Sequence, residues 1–428
     1  ADNVLPHIFS TPPEYNGGYQ KAIADGVYLD LTPYYDKGLM PNIRYLRENN
    51  PEINRDFIDD AGKMGAFPMV DIIPSDPWSG LWVRQDWLDE LGMKTPGTID
   101  EWEAMLKAMK AAKGVAPLAM DIKLWYGVAT NYMFVGSYEA GYEWINKEGT
   151  AQYGPILPGY QSWLKKMNEW YAAGLIDPDF ATRDYDSYNA NIADCKVGGF
   201  GLAYGNVGQI IKTGQQKEPT FQITPVLQPT SYEGQVIHLH QDNSTVRLDR
   251  EFLTAKAKED GLDEIAAMYK DYWYSQDGGD LCSYGPEGVS YQWKADGEYE
   301  WIYPKLKNSE GLDFWTLFPM FKLHNWAYLR NSGAYENAPE VNQCIELWDT
   351  QDSSWLVPDN ISPTPEESTE LAAIMTDINT YRDEMTLKFI MGLEPIENFP
   401  QFVDKIKSMN IDRAAELKTA AIKRYTER

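Results

Sequence analysis

Four acids stand where a carboxyl group could do chemistry: Asp76, Asp121, Asp242 and Glu287, each beside aromatic residues or in an expected loop. Two carboxyls flanking a sugar linkage, about 5–10 Å apart, would hydrolyse it. The chain holds 64 Asp and Glu residues, so some pair meets that spacing in any fold, and the count gives catalysis no support. Glu287 lies in "CSYGPEGVSYQW" (282–293), among aromatics, glycines and a proline. It reads either as an acid facing a substrate or as part of a loop that holds a ligand without changing it.

Other chemistries lack their residues. The phosphate-loop pattern GxxxxGK[ST], HExxH and GxSxG do not occur. "GGFGLAYG" (198–205) is one residue too long for a dinucleotide fingerprint, and no helix start is expected directly after it. "SWLK" (162–165), "SYN" (187–189) and "KTG" (212–214) follow the order of a serine acyl-enzyme, but the intervals are too short and Ser162 sits on a helix whose spacing packing explains. His238 and His240 are two apart on one face of an expected strand, without a clear third ligand, so they read as a satisfied pair rather than a metal site. Cys195, Cys282 and Cys344 form no CxxC, and no calcium loop is present. No cofactor and no metal is expected.

Composition narrows the partners. A net charge of −26 repels phosphates, which excludes nucleic acid. No run of apolar residues is long enough to span a bilayer, and "ADNVLPHIFS" lacks the basic region and apolar core of a secretion signal. Aromatic content is high, with 15 Trp, 28 Tyr and 14 Phe. Such side chains pair a flat apolar face with a polar tip, which suits the C–H face and hydroxyl rim of a pyranose; for any one of them, core packing is the plainer reading.

The elements that must position these residues alternate in type, which predicts an α/β fold. Leu81, Trp82 and Val83 read as a buried strand, and Thr98 with Glu101 as a capping box opening a helix. Trp102, Met105, Leu106 and Met109 form its core stripe, and Gly114 ends it. Trp163, Met167, Trp170 and Tyr171 share a second helical face; Ile265, Met268, Tyr269, Tyr272 and Trp273 share a third. "KVGGFGLAYG" (196–205), "FQITPVLQP" (221–229) and "VIHLH" (236–240) read as strands, and the tail from about Met385 as helices broken at Gly392, Pro395 and Pro400.

Five stretches in order resemble one family, the extracytoplasmic solute-binding proteins (family 1) of ABC importers. They are "ADGVYLDLTPYYDKG" (24–38), "LWVRQDWLDELGMKTPGTIDEW" (81–102), "EWYAAGLIDPDFATR" (169–183), "SYGPEGVSYQWKADGE" (283–298) and "KFIMGLEPIENFPQFVDKIKSMNID" (388–412). The nearest group is that of the lipoprotein-type oligosaccharide and aldouronate binders, related to alginate-binding proteins. The resemblance implies a two-lobed periplasmic-binding-protein-like type II fold with hinge crossings near Trp78–Val83, His240 and Phe318. Residues 1–80 and 242–318 would form the first lobe, and 81–241 with 319–428 the second. It implies a monomeric, non-enzymatic extracytoplasmic binder, a cell-surface lipoprotein or periplasmic, that passes an oligosaccharide to ABC permease subunits. A glycoside hydrolase is the alternative.

In that reading Glu287 bonds loop amides. Tyr204 stands where relatives place a stacking Trp, and His324 and Trp326 lie in a loop resembling a second platform. Trp78 lies in a Pro- and Gly-rich hinge segment, and Trp125 and Tyr126 follow an expected strand end. Asn206, Asp121 and Arg330 are the polar candidates for hydroxyls or a uronate carboxylate. The calcium loop of the alginate-binding relatives is not carried over: "KGVAPLAMD" (113–121) lacks its acids. The family also places a strand–helix–strand unit, about 60–80 residues long, before the piece resembling "LPHIFS", and that unit is expected to be missing here.

Overall fold

The computed structural model describes residues 5–10, 15, 18–72, 77–122, 133–241, 244–302, 329–330 and 339–428. The chain opens with β1 (Ile8–Ser10), α1 (Gly18–Ala24), α2 (Thr32–Asp36), α3 (Pro41–Asn49), α4 (Pro51–Phe57) and β2 (Phe67–Asp71). It then crosses to β3 (Ser79–Arg84), α5 (Gln85–Leu91), α6 (Ile99–Lys113), β4 (Leu118–Ala119) and a hairpin of β5 (Trp144–Lys147) and β6 (Thr150–Tyr153). The same lobe continues with α7 (Pro158–Ala172), α8 (Tyr185–Ala193), β7 (Gly199–Ala203), α9 (Val207–Gln215) and β8 (Ile223–Val226). The chain returns through β9 (Val246–Leu253), α10 (Ala255–Glu259), α11 (Asp263–Tyr272), α12 (Gln276–Tyr284), the hairpin β10 (Tyr291–Trp293) and β11 (Tyr299–Trp301), and β12 (Leu329–Arg330). Four helices close the fold: α13 (Pro339–Trp348), α14 (Pro365–Ile390), α15 (Phe399–Ser408) and α16 (Ile411–Glu427).

Among the described residues, two four-stranded sheets result. The first runs β1-β9-β2-β12 and the second β4-β7-β3-β8. Each carries its own core. Leu31, Ile43, Phe67, Val70, Val246 and Leu253 belong to the first. In the second, alternation along β3 feeds two layers: Leu81 and Val83 join the core under α6 and α7, and Trp82 joins the one under α8, α9 and α13. A sheet covered on both faces explains why all of β3 is buried. Trp348 packs so close over this strand that a side chain at Gly80 would meet its indole at 2.4 Å. Trp82, Trp87, Trp102, Trp163, Trp170 and Trp348 are fully buried, so much of the aromatic wealth serves packing.

The stretches that carry the resemblance have local structural duties. Arg84, fully buried, lies between the rings of Trp87 (4.5 Å) and Phe221 (4.3 Å), bonds both oxygens of Asp86 at 2.7 Å and pairs with Glu218. Thr98 and Glu101 form the expected capping box on α6. Asp177 is held by Arg183 and by the Asn191 amide at 3.2 Å. In the loop after α12, Gly285 and Gly288 take positive φ values of 78° and 75°, and the Ser290 hydroxyl donates to Tyr284 O at 2.6 Å. Glu287 is exposed, and among the described residues no donor bonds its carboxylate. The loop is tied by Ser290 and by Gly288 N to Tyr291 O (2.7 Å), so the expected role of Glu287 in bonding loop amides is not seen.

Other departures have physical reasons. On α11 the stripe of Ile265, Met268, Tyr269 and Tyr272 faces outward at 43–61% exposure, and only Trp273 of that set is buried. The opposite face is needed inside: Ala266 and Ala267 lie against the core, Lys270 pairs with Glu251, and Asp271 accepts from Ile43 N (2.8 Å) and Asn42 N (3.1 Å) at the start of α3. Residues 236–240 form no strand; they bond the segment 352–355 through His240 N to Asp352 O (3.1 Å) and Trp355 N to His238 O (3.0 Å). α9 begins right after the glycine-rich strand and a single turn at Tyr204–Asn206. Pro400 opens α15 rather than breaking a helix, and α14 runs 26 residues without a break.

The crossings near Trp78 and His240 are present as connections between the sheets; Phe318 lies outside the described residues. β12 pairs with β2 in the first sheet, past the expected lobe boundary at 318/319. The last helices also touch both lobes. α14 and α16 bury Ile378, Phe389, Leu417 and Ile422 in the second core, yet Arg424 and Arg428 pair with Asp60 and Tyr425 bonds Asp56 (2.7 Å) in the first lobe.

Candidate ligand-binding site

In open α/β sheets, ligands bind beyond the carboxyl ends of the strands, where side chains project from loops without breaking the ladder. β7 pairs antiparallel with β3, ending at Ser79↔Ala203. The next step outward puts Trp78 opposite Tyr204, and Tyr204 N donates to Trp78 O at 2.8 Å. β4 runs parallel to β7, with Leu118↔Gly199 and Ala119↔Phe200, so Asp121 leaves the sheet at the same edge, almost wholly buried. Tyr188 staples that edge: its hydroxyl bonds Ala119 O (3.2 Å) and Gly201 O (3.0 Å).

Four of the residues singled out in the sequence therefore gather on one edge of the second sheet: Trp78, Asp121, Tyr204 and Asn206. Trp78 and Tyr204 are both half-buried, and Tyr204 packs against the core under α8, α9 and α13. Asn206, largely buried, donates through Nδ2 to the Tyr185 hydroxyl at 2.8 Å. The first lobe faces the hinge with the carboxyl end of β2, where Asp71 is fully buried and 3.8 Å from Arg247. Arg330 stands beside it: its backbone pairs with Asp71 in parallel register. Trp125, Tyr126, His324 and Trp326 lie outside the described residues, as do Asp76 and Asp242.

Two residues escaped the sequence reading. Tyr185 opens α8 directly after its Asp184 cap, so it looked like an ordinary first-turn residue, yet its ring is 37% exposed. Gln241 carries no motif. It sits on the second crossing, half-buried, and its Oε1 accepts from Trp78 N (2.8 Å) and Ser79 N (3.3 Å), tying one crossing to the other. The Ser79 hydroxyl beside it is buried, and among the described residues it has no hydrogen-bond partner.

The histidine pair belongs to the hinge. His238 stacks on Trp355 with centroids 4.6 Å apart and places Nδ1 3.0 Å from Asp352 and 3.1 Å from Ser354. His240 is buried, and burial pushes its pKa down to about 4. Among the described residues no group of three His, Cys, Asp or Glu could hold a metal ion. A histidine kept neutral by burial binds its proton more readily in the unfolded chain, so its contribution is whole above about pH 6.5 and is lost as pH falls toward 4. Between pH 7 and 4.5 this group should remove about 2–3 kcal/mol. Urea unfolding at the two pH values checks it: His240→Gln should narrow the difference by that amount.

No family model matches the chain. It is 24% identical over 422 residues to the polygalacturonan/rhamnogalacturonan-binding protein YtcQ of Bacillus subtilis (strain 168), a match covering 94% of this chain and 78% of that protein. Among solved structures, the alginate-binding protein AlgQ2 without calcium ion superposes with a TM-score of 0.81 at 20% identity, over 98% of this chain and 86% of that one. The chain has the two-lobed solute-binding fold. The S. pneumoniae ABC-transporter substrate-binding protein FusA, in complex with kestose, shows the same fold with a TM-score of 0.77 at 16% identity, over 99% of this chain and 88% of that one. Among the described residues no helix is long and apolar enough to cross a membrane.

Proposed function

We propose that this protein is the extracytoplasmic binding component of an ABC importer, and that it holds an oligosaccharide between its lobes and hands it intact to a membrane permease. The observation that carries the reading is the Trp78–Tyr204 pair: two half-buried aromatics set opposite each other at a strand edge, directly on a hinge crossing. Flat rings there stack on the C–H faces of sugars, and Asn206, Tyr185 and Asp121 supply polar groups for hydroxyls. The names of the relatives support the class, since they bind polygalacturonan or rhamnogalacturonan, alginate and a fructo-oligosaccharide.

The mechanism needs no bond to change. Sugar bound to one wall favours the closed form because only that form makes the second set of contacts, and closure is what a permease reads. The lobe limits, the monomeric state and a lipid anchor or free periplasmic location belong to the same proposal. The hydrolase alternative gains nothing from the geometry: Glu287 is exposed on its loop and Asp121 is buried at a strand end. Incubation with oligogalacturonides, alginate oligomers and kestose, followed by chromatography, tests the proposal: thermal stabilisation with the saccharide recovered at full length supports it, and shortened products overturn it.

A further inference from the structure

We propose that Gln241 is a ligand-contact residue that also fixes the cleft aromatics; the proposal rests on the oligosaccharide-binding reading above. The orientation of its amide is set by its neighbours. Two backbone donors, Trp78 N at 2.8 Å and Ser79 N at 3.3 Å, converge on one terminal atom. Only the carbonyl oxygen can accept both, so the NH2 group is turned away from the start of β3.

That NH2 group carries two N–H donors with no partner among the described residues. A lone orphan amide on a half-buried side chain would mean little. Here it sits beside the buried Ser79 hydroxyl, unpartnered among the described residues, one residue from Trp78, on the segment where two crossings meet. A protein that closes on a saccharide at this edge would bring ligand oxygens to these donors. The ligand chemistry they select is an acceptor next to an aromatic platform: a sugar hydroxyl, a ring oxygen or a uronate carboxylate. The Oε1 half of the same amide keeps Trp78 in place, and Trp78 O in turn holds Tyr204 N.

Gln241→Glu separates the two halves, because a carboxylate oxygen still accepts from both backbone amides while the donors are gone. Wild type is titrated calorimetrically with oligogalacturonides, alginate oligomers and kestose, and the tightest binder is then titrated into Gln241→Glu and Gln241→Met. The melting temperature and the 19F signal of Trp78 in 5-fluorotryptophan-labelled protein report the fold and the platform, with Trp78→Phe assigning the signal. Expected for Gln241→Glu is binding weaker by tenfold or more, with melting and the Trp78 signal unchanged. Gln241→Met should lose affinity and shift the Trp78 signal as well. Binding by Gln241→Glu within twofold of wild type overturns the contact while leaving the oligosaccharide reading intact, as does weaker binding accompanied by a shifted Trp78 signal. A wild type that binds none of the three sugars sinks the oligosaccharide reading and the Gln241 proposal with it.

Discussion

Replacing Lys270 with Met should cost about 3–5 kcal/mol of folding stability, the loss seen when one partner of a buried ion pair is removed. Lys270 lies on α11 with its side chain 2% exposed, and its ammonium pairs with Glu251 on β9, whose side chain is 3% exposed. Ser10 on β1 donates to the other Glu251 oxygen, so the pair joins three elements of the first lobe. Burial pulls the Lys270 pKa down, and the Glu251 carboxylate opposes that pull by favouring the charged ammonium. Without the ammonium, Glu251 must keep a charge in the core or take up a proton. Removing both charges should recover most of the loss, since a volume-matched apolar pair often replaces a buried ion pair at little cost. Urea unfolding of Lys270→Met and of Lys270→Met with Glu251→Leu checks both halves. A Lys270→Met variant within about 1 kcal/mol of wild type would show that the pair contributes little.

The second large effect is on binding. Trp78→Ala and Tyr204→Ala should each weaken oligosaccharide affinity by about 1–3 kcal/mol, or roughly 5- to 150-fold, the usual loss for an aromatic anchor. Both side chains are half-buried, and the bond between these residues runs through their backbones, so both variants should still fold, with the larger fall in melting temperature for Tyr204→Ala, whose ring packs on the core. The two are opposite each other across adjacent strands, and their effects should not add in the double variant. Calorimetry on the single and double variants reads this directly. Wild-type affinity in both single variants would remove the pair from the site.

Sequence periodicity proved a good guide to which residues share a face and a poor one to what that face meets. The stripes of α6 and α7 are buried as expected, because their sheet offers an apolar floor. The stripe of α11 has the same spacing but points outward, because Lys270 and Asp271 have partners on β9 and α3 that only the inward side can reach. Those partners lie far away in sequence, where no local pattern shows them. The capping box at Thr98 was legible because both its bonds are local. Residues 236–240 alternate as a strand does, yet they run along the hinge beside 352–355, a pairing of distant segments.

The candidate site was legible in part for a similar reason. Trp78 and Tyr204 stand out as aromatics next to Pro and Gly, which keep them from reading as helix packing. Gln241 and Tyr185 did not, since their significance lies in a backbone amide and a side chain reached only once the sheets are formed. Arg84 was legible as part of a motif, and its place between two rings shows that the motif's arginine serves the fold.

Small-angle scattering of the intact protein, with and without a saturating oligosaccharide identified by calorimetry, tests the central claim most directly. The account predicts a smaller radius of gyration in the bound form, because the two sheets swing together about the crossings at Trp78 and Gln241. An unchanged radius at full occupancy would mean that sugar binds without closing the lobes, and would contradict it.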